Sequence, residues 1–343
     1  MKFLFILIFS SLLINPCSKE EQKSQTTTNE SSKSQEQKQQ ETSGMKDGGK
    51  VFLGRYLNGK LIIEDNAAYI KNELTWAKDT FENYDRYCGY LKTYAKKYAD
   101  YKEDKPEYVF DSFKEEFKKL TTIRIGDKFN VSSNGEVFQS AVTKYYMNFD
   151  DMVGSGVVFY SVAEPVSQTL AEYDVVICSD NSKISKFITT KRLLNEDPGL
   201  FKSVTALMMQ KAKDIKIKDE SSGKEKFDPV TSIDTSELII LPGSFTSAGA
   251  NEYIAGYTKR QSFDNFAYYI VIVNDKGEPV KVFAELIKDS FTFETVIGIV
   301  DVNGDGIYEV LTEDGYYEGN GYNLHKLEGK EYKTITGGFF FGV

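Results

Sequence analysis

Asp301-Val302-Asn303-Gly304-Asp305-Gly306-Ile307-Tyr308-Glu309 is the stretch against which the rest of this sequence is best interpreted. Side-chain oxygens recur at every second residue, on Asp301, Asn303 and Asp305, and one returns on Glu309 at the ninth position. A chain that curls tightly points oxygens with this spacing toward a single hard cation. The spacing therefore predicts a calcium site that these four side chains share.

Two further residues complete the predicted ligand set. Gly306 supplies the positive φ that a tight curl needs, and the carbonyl oxygen of Ile307 fills the gap between the third and fourth side chains. The three carboxylates would repel each other strongly without a cation to neutralise them. The alternative is an ordinary Asn-Gly/Asp-Gly turn between two strands, with no metal. Four correct ligand positions at once favour the calcium site.

The flanks of the stretch indicate which kind of calcium loop it is. A helix-loop-helix site requires a bidentate Glu at the twelfth position, where this chain has Thr312. Residues 293–300 and 310–312 instead have the composition of β-strands. Oxygen ligands at this spacing between strands resemble the FG-GAP/VCBS repeats of integrin-α-like β-propellers and related bacterial surface proteins. The resemblance implies adhesion or scaffolding toward a protein or glycan partner.

A similar segment precedes this stretch in the chain. Residues 243–254 align without a gap on residues 300–311, at an offset of 57 residues from Ser244 to Asp301, so that Glu252 falls on Glu309. Three ligand positions differ: Ser244, Thr246 and Ala248 stand where the later copy has Asp301, Asn303 and Asp305. The earlier copy keeps the turn but has lost most of the charge. A period of this length, with several strands in each unit, is typical of a propeller blade.

The N-terminus indicates export and lipid attachment. Residues 3–14 are almost all apolar and too few to span a bilayer, which is typical of a secretory signal. Cys17 directly behind this run resembles the cleavage site of bacterial lipoproteins, and the resemblance implies an acylated Cys17, with palmitate among the expected chains. A plain secretory signal is the alternative. Ser18 lacks the Asp that retains some lipoproteins in the inner membrane, which favours the outer one.

Composition divides the remaining chain. Residues 18–50 contain almost no apolar side chains, so we expect a disordered tether behind the signal peptide of residues 1–17. From residue 51 onward the chain is long enough for one large domain or two ordinary ones. The net charge of −9 argues against nucleic acid as a partner.

The body has a predicted α+β fold in three regions. In residues 51–120, the turn Asn58-Gly59 predicts a β-hairpin, and apolar spacing from Ile70 to Leu120 predicts a helical hairpin. Residues 121–235 have a mixed α/β pattern with a helix from Pro198. Residues 236–343 are predicted to be antiparallel β, with two propeller-blade-like repeat copies, the second bearing the calcium loop.

The sequence favours a non-enzymatic protein. No nucleophile–base pattern is present, and the single histidine, His325, removes most imidazole chemistry. The alternatives are a secreted hydrolase that uses carboxylates in a cleft between the helical and β parts, and a lipoprotein that binds no metal. Export permits a disulfide between Cys88 and Cys178, but two buried free thiols explain these residues equally well.

Overall fold

Extended segments dominate the computed structural model of the chain. It describes residues 49–64, 67–70, 73–76, 107–108, 121–148, 158–189, 197–214, 216–218, 227–229, 231–260, 266–290, 292–316 and 319–342. All of them belong to one compact unit, Ser43–Val343. The predicted signal peptide with Cys17, most of the predicted tether and Cys88 lie outside the described residues.

The described residues contain one helix, α1 (Pro198–Ala212), and twenty strands. The strands in chain order are β1 (Val51–Leu57), β2 (Lys60–Glu64), β3 (Ala67–Ile70), β4 (Glu73–Trp76), β5 (Glu107–Tyr108), β6 (Lys128–Ser133), β7 (Glu136–Asn148), β8 (Val158–Glu164), β9 (Val175–Ser179), β10 (Ile188–Thr189), β11 (Lys216–Lys218), β12 (Phe227–Pro229), β13 (Ile239–Gly243), β14 (Glu252–Arg260), β15 (Phe266–Asn274), β16 (Pro279–Ser290), β17 (Thr292–Val300), β18 (Glu309–Tyr316), β19 (Gly319–Glu328) and β20 (Glu331–Gly342).

The predicted α+β fold with an N-terminal helical hairpin is wrong, because the described residues are mostly β. At the start of the first predicted helix, β3 and β4 pair antiparallel, with Ile70 opposite Glu73. At the start of the second, β5 pairs with β7. The β3–β4 hairpin packs against β1 and β20, and such tertiary contacts override a helical spacing of apolar residues. The rest of both predicted helices lies outside the described residues.

Six strands close into a barrel in the order β7-β6-β9-β1-β2-β8, and β8 pairs with β7 again. The hairpin predicted at Asn58-Gly59 is confirmed as the β1–β2 connection. Both turn residues have positive φ, 51° and 73°, as a type I′ turn requires. The barrel joins strands from the first and second predicted regions, because β1 pairs with β9 over its first five residues.

Strand alternation gives the barrel an inner and an outer apolar face. Phe52, Leu61 and Cys178 belong to the inner cluster, whereas their neighbours Leu53 and Ile62 belong to a second cluster outside. Cys178 is a free thiol, fully buried inside the barrel, and burial raises its pKa well above the ordinary value. Its chemistry in this structure is that of a small apolar side chain.

The C-terminal half forms two antiparallel meanders of four strands, β13–β16 and β17–β20. The first lies in a six-stranded sheet completed by β11 and β12, and the second in a five-stranded sheet completed by β10. The sequence predicts antiparallel β with propeller-blade-like repeats for residues 236–343; the described residues there form two antiparallel four-stranded meanders and no ring of blades. The two sheets stack face to face, with α1 on one side and the barrel on the other.

Apolar clusters hold these layers together. The helix predicted from Pro198 is confirmed; it buries Leu200, Val204 and Met208 against one face of the six-stranded sheet, and Asp197 caps it by accepting a hydrogen bond from the Leu200 amide. The other face of that sheet packs on the five-stranded sheet, which in turn packs on the barrel. The five-stranded sheet is therefore buried on both faces.

Gly54 tests the close packing inside the barrel. A Cβ at this position would lie 2.8 Å from Cγ2 of Val176 and 3.1 Å from Sγ of Cys178. We expect Gly54→Ala to lower the free energy of unfolding by about 1–3 kcal/mol, because a packed interior has no room for the added carbon. Gly256→Ala is the matched control, since its Cβ would have nothing nearer than 3.6 Å. Equal losses in urea denaturation of both variants would contradict this packing.

Candidate functional site

The predicted calcium loop connects β17 to β18, whose pairing brings Val300 opposite Glu309. Gly304 and Gly306 both have positive φ, 72° and 81°, which lets the chain curl within a few residues. A side chain at position 304 would in addition collide with Lys183 of the neighbouring segment. The loop therefore has the curled path that the sequence predicts.

Hydrogen bonds inside the curl hold the first and third predicted ligands. Asp301 accepts from the amide of Gly304 at Oδ1 (2.6 Å) and from the amide of Gly306 at Oδ2 (2.9 Å). Asp305 accepts from the amide of Ile307 at Oδ1 (2.8 Å) and from Nδ2 of Asn303 at Oδ2 (2.9 Å). A carboxylate has about four acceptor sites, so each group keeps lone pairs for a cation.

The fourth predicted ligand differs from the others. Glu309 is fully buried, and its Oε2 accepts a hydrogen bond from the amide of Val302 at 2.9 Å. Its Oε1 is also buried and has no hydrogen-bond partner. Burial raises the pKa of Glu309 to about 8, against the Val302 hydrogen bond and the charge of Lys326, which lower it; the charges of Asp305 and Asp301 raise it further. An unpaired carboxyl oxygen in this position requires a proton or a cation.

The predicted ligands lie together in one loop, but their side chains do not converge on a single metal position. Within the described ranges, no three acidic, His or Cys side chains lie close enough together to hold a metal ion. The donor set nevertheless fits calcium in its chemistry, since every predicted ligand atom is a hard oxygen and one of them is buried and unpaired. Calcium binding by Asp301, Asn303, Asp305, Ile307 and Glu309 remains a prediction.

The earlier aligned segment provides an internal comparison. Glu252 occupies the position of Glu309 and makes the same contact, because its Oε2 accepts from the amide of Phe245 at 2.8 Å. It also accepts from the amide of Thr246 at 2.9 Å, and the Thr246 hydroxyl donates to its Oε1. Protein donors therefore satisfy both oxygens of Glu252. Asn303 replaces Thr246 in the later segment and contacts Asp305 instead.

The loop 301–308 also joins three parts of the molecule. The amide of Tyr308 donates to the carbonyl of Ser244 in the earlier loop at 2.8 Å. On the other side, the amide of Ser185 donates to the carbonyl of Asp301, and the Asp301 amide donates to Oγ of Ser185, both at 2.8 Å. Nδ2 of Asn181 donates to the carbonyl of Asn303 at 3.2 Å. The segment with Asn181 and Ser185 follows barrel strand β9, so the loop lies between the barrel and the six-stranded sheet.

Sequence reasoning missed a second polar cluster, on the face of the five-stranded sheet that packs on the six-stranded sheet. Nε2 of His325 lies 2.8 Å from Oγ1 of Thr312 and 3.6 Å from Oε1 of Glu294. Burial lowers the pKa of His325 to about 4. Burial, together with the charge of Asp314, raises the pKa of Glu294 to about 7, so this is not an ion pair at neutral pH. Its members come from three strands, and no local spacing in the sequence indicates that they meet.

Comparisons with protein-family models, with curated proteins and with solved structures found no match to this chain. The geometry of the described residues is therefore the basis for assigning a function. Among those residues, no helix is both long enough and apolar enough to cross a bilayer.

Glu294 predicts a pH dependence of stability. Its pKa is raised on folding, so the stability that this carboxyl contributes is fully present below about pH 4.5 and is lost as the pH rises through about 7. Glu294→Gln removes this titration. The free energy of unfolding of the wild type minus that of the variant should therefore fall between pH 4.5 and 7 and stay level above it. His325 has the opposite sign, since stability is lost as the pH falls toward 4, and it acts in both proteins.

Urea denaturation at a series of pH values, with chelator present to exclude metal effects, measures this difference. A difference that is constant from pH 4.5 to 8, or that grows with pH, would contradict the burial of the Glu294 carboxyl.

Proposed function

We propose that the body binds one calcium ion in the loop 301–309 and that the role of this ion is structural. Asp301, Asn303, Asp305 and Glu309 would supply side-chain oxygens, and Ile307 its carbonyl oxygen. The observation that carries the proposal is the buried, unpaired Oε1 of Glu309, in a position where protein donors satisfy both oxygens of Glu252. In the later loop a cation would contact Oε1 of Glu309, where the earlier loop has the Thr246 hydroxyl donating to Oε1 of Glu252.

The contacts of the loop determine what a bound ion would stabilise. It would offset the repulsion among three carboxylates and hold a loop that bonds to Ser185 on the barrel side and to Ser244 on the sheet side. Extracellular calcium sites commonly bind with dissociation constants of about 10⁻⁴ to 10⁻³ M. Such a site, filled by an excess of calcium, adds roughly 1–3 kcal/mol to the free energy of unfolding.

The proposed setting is a lipid-anchored protein of the cell envelope, in the outer membrane, without catalytic activity. Support comes from the apolar run at residues 3–14, from Cys17 directly behind it and from the polar residues 18–50. A tether of this composition would hold the folded body away from the bilayer. The role proposed for the body is adhesion or scaffolding toward a protein or glycan partner.

Thermal unfolding tests the calcium site. Calcium at about 10 mM should raise the melting temperature of the body by roughly 3 °C or more relative to chelator, because the ion binds only the folded loop. Asp305→Ala should abolish this increment. Asp275→Ala, which removes an exposed carboxylate from the turn between β15 and β16, should retain it. A wild-type melting curve that calcium leaves unchanged would refute the site.

Lipid attachment has a separate test. In a bacterial expression host, Cys17→Ser should move the protein from the membrane fraction to the soluble fraction and abolish incorporation of labelled palmitate, because acylation requires the thiol. Cys88→Ser is the matched control and should leave both properties unchanged. Export with processing but no label in the wild type would support the plain secretory signal instead.

A further inference from the structure

The connection between β8 and β9 ends in an exposed tyrosine that lies over an arginine of the barrel. Tyr173 is 59% exposed, more than any other large apolar side chain of the described residues. Cζ of Arg55, on β1, lies 5.2 Å from the centroid of the Tyr173 ring. A cation–π contact of this kind holds a guanidinium group against one face of the ring. These two side chains, the Tyr–Arg pair, lie next to the β1–β2 turn at one end of the barrel.

The backbone at Tyr173 has a conformation that does not suit a bulky side chain. Its φ is 74°, in the left-handed region that glycine and asparagine occupy at lower cost. Two hydrogen bonds to the barrel hold it there: the amide of Tyr173 donates to the carbonyl of Tyr56 at 2.8 Å, and the amide of Tyr56 donates to the carbonyl of Asp174 at 2.9 Å. Backbone strain of this kind is concentrated where a function needs the side chain. The exposed ring therefore occupies a rigid position that the fold alone would give to glycine or asparagine.

Arg55 has donors that the protein leaves unused. Its Nε is buried without a hydrogen-bond partner, and no carboxylate of the described residues forms an ion pair with its guanidinium group. The acidic residues on either side of the tyrosine bond to backbone amides instead: Oε1 of Glu172 accepts from the amide of Asn58 at 2.7 Å, and Oδ2 of Asp174 accepts from the amide of Ala171 at 2.8 Å. A carboxylate has about four acceptor sites, so both carboxylates keep free ones. An exposed apolar ring is thus combined with unused donors and, on the flanking residues, with unused acceptors.

We propose that the Tyr–Arg pair binds a neutral sugar of a glycan partner. The inference rests on the proposed adhesive role and adds its site and the chemistry of its partner. The apolar C–H face of a pyranose ring packs on an aromatic ring, and the planar guanidinium fork donates to two neighbouring oxygens of the sugar. Sugar hydroxyls donate as well as accept, which suits the free oxygens of Glu172 and Asp174.

Charge and surroundings decide the class of partner. The negative charges of Glu172 and Asp174 flank the single positive charge of Arg55, so an anionic sugar is disfavoured. An anchor for a protein partner is typically surrounded by contacts that exclude water, whereas the chain neighbours of Tyr173 are acidic. A neutral sugar meets neither obstacle.

Calorimetric titration of the full chain, in a polyoxyethylene detergent that contains no sugar, tests the site. Lactose, maltotriose and chitotriose are the neutral probes, and sialyllactose is the acidic match of lactose. At least one neutral probe should bind. Arg55→Met should weaken that binding about tenfold or more, because hydrogen bonds from a charged group are lost. Arg124→Met is the matched control: Nη1 of Arg124 already donates to the carbonyl of Ile123 at 3.2 Å, so this variant should bind the sugar as the wild type does.

Tyr173→Asn separates binding from structure. Sugar binding should be lost with the ring, whereas the melting temperature should stay at or above that of the wild type, because asparagine adopts the left-handed conformation more readily. A ring that only packs on Arg55 would give the opposite result, a lower melting temperature with sugar binding unchanged. If Arg55→Met fails to fold, Arg55→Lys replaces it; the charge is kept but the fork is lost, and sugar binding should again be weaker.

The outcomes distinguish this inference from the proposed function. If no neutral probe binds the wild type, or if both variants bind it equally well, the inference is overturned, whereas the calcium site is decided by the melting temperature alone. Tighter binding of sialyllactose than of lactose would overturn the assignment to a neutral sugar. If host cells that display the full chain adhere to a protein-coated surface, and Arg55→Met and Tyr173→Asn leave this adhesion unchanged, the adhesive role stands and the inference is overturned.

Discussion

A β-sheet that is buried on both faces leaves its end loops few ways to satisfy their polar groups, and the five-stranded sheet of this protein is such a sheet. It packs on the barrel through Val300 and Leu311, and on the six-stranded sheet through Ile299 and Val310. The loop 301–308 is therefore enclosed on two sides, and Glu309 enters the core with it. A carboxyl group there cannot turn to water, so the rest of the site is arranged around its neutralisation.

The two aligned loops surround their buried glutamates with different groups. The earlier one surrounds Glu252 with two amides and a hydroxyl, all supplied by Phe245 and Thr246. The later one keeps the Val302 amide, replaces the hydroxyl with Asn303 and gathers two aspartates nearby. Because the backbone contact is the same, the difference lies in side-chain chemistry.

The loop lies near the point where the first and last strands of the folded body meet. The amide of Lys50, at the end of the predicted tether, donates to Oδ1 of Asp180 at 2.8 Å, and Nδ2 of the adjacent Asn181 donates to the carbonyl of Asn303 in the loop 301–308. The same apolar cluster contains Val51 from the first strand and Phe339 from the last. An ion in the loop would therefore strengthen the place where the beginning and the end of the folded body meet.

Local chemistry was readable from the sequence: the turn Asn58-Gly59, the α1 helix behind Pro198 and the curl at Gly306 depend on residues only a few positions apart. The helical spacing from Ile70 gave a wrong prediction, because a local pattern contains no information on the contacts that β3 and β4 make with distant strands. The barrel pairs β1 with β9, two strands that lie far apart in the sequence. The sequence by itself determined which oxygens could bind a cation. Only the tertiary structure decided that one of them is buried without a donor, because burial depends on packing that local spacing does not encode.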